Sequence, residues 1–156
     1  MRLLFFVMDW DYRALAVLTG LMLAVAVIDL KSMMIPNRLV ILGIISGILL
    51  SFVRGRPDWL EMFLGCVAGA GILLLVSFVS NGGMGMGDVK LGAVMGIYLG
   101  WPGVLTAIFL AAFAGAVAGV MLIISRGRSR QHKIPFGPFL AVGTVVSFLW
   151  SLGWGP

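Results

Sequence analysis

Charge is what this sequence has least of. Only 11% of its 156 residues are charged, against about 25% in soluble domains, while 61% are hydrophobic and the mean hydropathy is +1.12. That balance excludes a water-soluble globule and leaves an all-α, polytopic membrane protein. The chain holds one cysteine and one histidine. A lone Cys66 inside an apolar run excludes an intramolecular disulfide and a cysteine metal cluster, so it reads as packing. With His132 it makes no zinc-ligand set, and neither a metal nor any other cofactor is expected. Phosphate-binding signatures are missing as well: neither G-x-x-x-x-G-K-[ST] nor G-x-G-x-x-G can be laid over the glycine-rich residues 81–91. The net charge is +5, yet the basic residues fall between apolar segments, where membrane orientation accounts for them, and no nucleic-acid partner is expected.

What is present divides into about six apolar spans in one compact bundle, taken as a single domain over residues 1–156. The spans cover residues 14–30, 39–53, 60–80, 88–100, 104–124 and 134–150. Acids at Asp9 and Asp11, ahead of the first apolar stretch, argue against a cleaved signal peptide and for a retained first helix. Ile35-Pro36 ends that helix, because a residue before proline avoids helical angles. Arg54-Gly55-Arg56-Pro57-Asp58 and Trp101-Pro102-Gly103 read as turns. Several spans fall short of the ~20 residues of a full crossing, so broken or tilted helices are expected.

Alternation places the segments near residues 31–38, 81–90 and 125–133 on one face, with Lys31, Arg38, Lys90, Arg126, Arg128, Arg130 and Lys133. Arg2, Arg13, Arg54 and Arg56 fall on the other. The first face is therefore the cytoplasmic one, and its basic 125–133 stretch is expected to meet anionic membrane lipid. Small residues at four-residue spacing, Gly43/Gly47, Gly65/Gly69, Gly92/Gly96/Gly100 and Gly115/Gly119, allow close helix contact. Packing within the bundle is the first reading of them; homo-oligomerisation through such a face is the second.

Of the six acids, Asp9, Asp11, Asp58 and Glu61 belong to polar segments of the outer face. Asp29 and Asp88 remain. Asp29 closes the first span, and Asp88 follows the glycine cluster NGGMGMGDVKL as the N-cap of the fourth. Both emerge on the cytoplasmic side, flanked by apolar sequence, where an ionisable group is costly and marks function. The bland alternative is that each caps a helix or pairs with Lys31, Arg38 or Lys90. Two carboxyls within hydrogen-bonding distance share one proton, the apparatus of an aspartic protease: one activates a water while the other protonates the carbonyl oxygen and then the leaving amine. A reading from another class is a small proton-coupled carrier, or an assembly subunit, using the same acids.

Three stretches together resemble the type IV prepilin peptidases: Asp29 followed by Ile35-Pro36-Asn37, then Gly85-Met86-Gly87-Asp88-Val89-Lys90, then Ile134-Pro135-Phe136-Gly137-Pro138-Phe139-Leu140. The resemblance implies a six-helix membrane fold in the cytoplasmic (inner) membrane. It implies cleavage of the short basic leader of prepilins or pseudopilins at the cytoplasmic face, with Asp29 and Asp88 as the catalytic pair. Gly85, Gly87, Lys90, Pro36, Asn37, Pro135, Gly137 and Pro138 fall in the motifs as support or substrate-binding positions. Larger bacterial members carry a cytoplasmic segment with paired cysteines and also N-methylate the product. This sequence has no such segment, so methylation is not expected, and the compact form is similar to the peptidases of Flp or tight-adherence pili, with an archaeal-type preflagellin peptidase as the alternative.

Overall fold

In lipid a backbone must satisfy its own polar groups, and an apolar run without edge partners does so as a helix. The computed structural model describes residues 2–55, 57–80, 84–126 and 135–154, and in these it has five helices and no strand. They are α1 Arg2–Ser32, α2 Asn37–Arg54, α3 Trp59–Val79, α4 Met86–Arg126 and α5 Gly137–Trp154. Residues 81–83 of the glycine stretch, Arg56, and the basic residues Arg128, Arg130, His132 and Lys133 lie outside the described residues, as does Ile134.

The helix ends follow local chemistry. Met33 takes a left-handed φ of 51°, and its N–H donates to the Asp29 carbonyl at 2.9 Å, closing α1. Pro36 is extended and opens α2, as its fixed φ and missing N–H favour. Gly55, with φ 67°, closes α2 in the left-handed conformation that costs glycine least. The polar residues Asp9, Asp11 and Arg13 ahead of the first apolar span lie within α1, which runs unbroken from Arg2.

α4 is two limbs. Gly100 has φ 68° and ψ 179° and is not helical. On α3, Gly65 lies against Gly96 and against the Gly100–Trp101 peptide, while Gly69 lies against Gly92 and Val104. Advancing along α3 thus means moving backwards in residues 86–99 and forwards in residues 101–126, so the chain reverses at Gly100. With the two limbs counted apart, the described residues hold six helical stretches, and one expectation is corrected: Trp101-Pro102-Gly103 is not the turn but the first helical turn of the second limb. Proline fits there because first-turn N–H groups have no intrahelical acceptor.

The first limb of α4 is the axis of the molecule. α3 packs along it and α2 covers its other side, with Val94 and Tyr98 filling the space left by Gly43 and Gly47. Ser46 and Tyr98 add a side-chain hydrogen bond of 2.7 Å. α5 packs on the second limb, where Gly143 meets the Ala107 backbone and Ser147 donates to the Gly103 carbonyl at 2.8 Å. α1 closes the ring between α5 and α2. Three stretches, Asp11–Ser32, Trp59–Val79 and Met86–Met121, are long and apolar enough to cross a membrane, the last containing the reversal. α2 and α5 have 18 residues each, ~27 Å at the helical rise, just under the ~30 Å hydrocarbon core. The chain is a membrane protein.

Four glycines carry the α3–α4 crossing, and they are not equivalent to glycines elsewhere. A Cβ on Gly96 would stand 2.5 Å from the Cys66 nitrogen and closer still to the Gly65 carbonyl, whereas one on Gly119 meets nothing within 4 Å. Gly96→Ala is expected to cost roughly 1–3 kcal/mol. Gly119→Ala should be neutral or gain up to about 1 kcal/mol of helix propensity. Thermal unfolding of the two variants in detergent checks the contrast.

Candidate active site

Asp29 stands in the last turn of α1 and is only 5% exposed. Its Oδ2 accepts the N–H of Gly137 at 2.9 Å. Phe139 and Leu140 both donate to the Phe136 carbonyl at 3.1 Å, which makes Phe136 the cap of α5 and Gly137 its first helical residue. The donor is thus one of the N–H groups that a helix leaves unpaired, at the end where the backbone dipole is positive. Pro135 precedes this cap, and Pro138 occupies the second position, where an N–H would have had no use. Gly137 must be glycine: a Cβ there would lie 2.6 Å from Asp29 Oδ2 and 3.0 Å from its Cβ and Cγ.

Asp88 is also buried, at 7% exposure. Its N–H donates to the Gly85 carbonyl at 3.1 Å. Gly85 therefore caps α4, and Asp88 is the third helical residue rather than the expected N-cap. Its Oδ2 faces back toward Gly85, and its Oδ1 is buried with no hydrogen-bond partner. A buried carboxyl oxygen without a protein partner is costly. Gly87, the neighbour of Asp88, lies against Ile35 of the linker that follows Asp29, so two acids far apart in the chain stand at the same end of the bundle.

The remaining motif positions tie these elements to each other. Gly87 lies against Ile35, so that a Cβ on it would stand 2.9 Å from the Ile35 Cβ. Lys90 Nζ donates to Asn37 Oδ1 at 2.8 Å, across two exposed side chains. The sequence gives no sign of the part played by Ile35, since a residue before proline reads only as extended chain. Nor does it show the Lys90–Asn37 bond, because no local rule connects positions so far apart. A Cβ on Gly85 would meet Asp88 Oδ2 and the Gly87 nitrogen at 3.9 Å, ordinary contacts.

The type IV leader peptidase family model matches residues 16–120, which span Asp29, the Ile35-Pro36-Asn37 linker and the whole of Gly85–Lys90. The chain belongs to the type IV leader peptidase family. It is 32% identical over 147 residues to a prepilin leader peptidase/N-methyltransferase of Aeromonas salmonicida, covering 91% of this chain and 50% of that one. A protein of the same description from Bacillus subtilis is 31% identical over 135 residues, covering 86% of this chain and 54% of its own length. One from Pseudomonas aeruginosa is 31% identical over 147 residues, 91% of this chain and 51% of its own. The chain spans about half the length of the curated relatives it matches. No solved structure matches it.

The glycines of this motif are not equivalent. Gly87→Ala must displace Ile35 and with it the linker from α1, which is expected to cost roughly 1–3 kcal/mol. Gly85→Ala meets only ordinary contacts and should change stability by no more than about 0.5 kcal/mol. Thermal unfolding of the two variants in detergent checks this.

Proposed function

We propose that this leader peptidase family member is a membrane aspartic endopeptidase that removes the leader from a type IV prepilin or pseudopilin, with Asp29 and Asp88 as the catalytic pair. The observation that carries it is a pair of buried acids at two helix ends held together by the Ile35–Gly87 contact, one of them with an oxygen left without a partner. Two such acids in mutual reach cannot both ionise and hold one proton between them. The ionised member takes a proton from a water as its oxygen attacks the scissile carbonyl carbon. The protonated member gives its proton to the carbonyl oxygen. Collapse of the tetrahedral intermediate breaks the C–N bond as the proton held by the first acid goes to the leaving amine. One hydroxyl proton of the intermediate returns to the second acid, so the pair again holds a single proton. The hydrogen bond from Gly137 fixes the Asp29 carboxyl for these transfers.

The acids lie at the end of the bundle where Lys31, Arg38 and Lys90 also occur. We place this end at the cytoplasmic face by the rule that positive segments stay inside. A substrate with a basic leader and an apolar helix presents its junction at that depth, beside the pair. Of the two activities in the relatives' description, leader cleavage is the one that a pair of acids serves.

Co-expression with an epitope-tagged prepilin tests the reading. A shift to the leaderless size, with the new N-terminus at the leader–helix junction by mass spectrometry, is the expected result. Full-length prepilin after normal membrane insertion of both proteins rejects it. A proton-coupled carrier would instead give acid-dependent flux in vesicles and no trimmed product.

A further inference from the structure

Lys90 has no assigned task beyond its place in the motif. It is exposed on α4, past Asp88, and its ammonium group is bound to a neutral side chain from another helix. The geometry points to Lys90 as a positioning residue for the two acids: by donating to Asn37 it ties the linker between α1 and α2 to the start of α4, and so sets how closely Asp29 approaches Asp88. The functional consequence rests on the proteolytic reading above; the positioning itself does not.

The linker is short and stiff. Its Met33 N–H is bonded to the carbonyl of Asp29 itself, and Pro36 fixes the chain just before Asn37. Displacing the linker therefore moves the helical turn that carries Asp29. Two contacts join the linker to α4, one residue before Asp88 and the other two after it. At the first, Ile35 presses on Gly87. Such a contact resists approach but does nothing against separation, because dispersion attraction between a few atoms is weak. The second contact supplies the missing restraint. A charge-assisted hydrogen bond of 2.8 Å holds against separation and has a directional geometry. The lysine stem is long enough to span from α4 to Asn37, the first residue of α2, as a shorter side chain is not. Ile35 thus sets the minimum spacing and Lys90 the maximum.

Cys66 is the only cysteine of the chain, which makes a disulfide ruler simple to build. In a Cys66→Ser background carrying Asp29→Cys and Asp88→Cys, oxidative cross-linking in nanodiscs reports the approach of the two positions without any need for activity. Lys90→Met is expected to slow cross-linking about tenfold, Lys90→Arg to leave it within about twofold, and exchange of the partners, Asn37→Lys with Lys90→Asn, to restore most of the rate. Cross-linking as fast with Lys90→Met as with Lys90 overturns the proposal. In the protein with both aspartates, Lys90→Met should lower kcat about tenfold through misplacement with KM within twofold. A rise in KM at unchanged kcat would assign Lys90 to substrate contact and overturn it equally. Should the protein with both aspartates cleave no prepilin at all, the peptidase reading fails while the cross-linking result still decides the role of Lys90.

Discussion

Asp29→Asn and Asp88→Asn should each abolish leader removal, lowering the rate by about a thousandfold or more, within the range that general acid–base groups contribute. An asparagine has the size of the acid it replaces and keeps an oxygen for the Gly137 N–H at position 29, so the fold has no reason to change. What it loses is the ability to take or give a proton. If the acids act on one water as a unit, as proposed, the double variant should be little worse than either single one. Asp58→Asn is the control: Asp58 is exposed and makes no side-chain cap on α3, so its loss should leave trimming unaltered. Immunoblots of co-expressed tagged prepilin, followed over time, give the measurement. Normal trimming by either Asp29→Asn or Asp88→Asn would remove the pair from the mechanism.

Gly137→Ala should be nearly as damaging to activity although it adds one methyl group. That methyl would stand 2.6 Å from the Asp29 carboxyl oxygen that Gly137 now hydrogen-bonds, well inside van der Waals contact. Either the carboxyl swings away or the start of α5 retreats, and in both cases Asp29 loses its donor and its aim. A displacement near 1 Å is worth about a hundredfold in rate. Overpacking of this size costs roughly 1–3 kcal/mol of stability, so a thermal scan must accompany the kinetics. The expected pattern is a large fall in kcat with a small shift in Tm. Activity near wild type in Gly137→Ala would mean that the contact between α5 and Asp29 has no catalytic weight.

Much of the fold was legible because composition and hydropathy act locally. The apolar runs had to be helices, Pro36 had to open one and Gly55 to end one. The reversal between the fourth and fifth spans was legible too, but its position was not. Trp101-Pro102-Gly103 has the chemistry of a turn, yet Gly100 makes the bend, and the proline then fits the helix start beyond it. Asp88 was misplaced by the same kind of small slip. Aspartate before an apolar run reads as a cap, whereas here the Gly85 backbone caps and the acid is carried one turn inward, into the buried interior.

The spaced glycines showed that helices approach closely without showing which ones. Gly65 and Gly69 meet Gly92 and Gly96, but each set is equally suited to any partner with a small-residue stripe. Residue types and their order alone determined the membrane setting, the helical class, the two acids in apolar surroundings and the family. Only the tertiary structure decided that α5 gives its first N–H to Asp29, that Ile35 rests on Gly87 and that Lys90 reaches Asn37. Local rules extend over a turn or two of helix, and these contacts join residues whose neighbourhood exists only after the helices have packed.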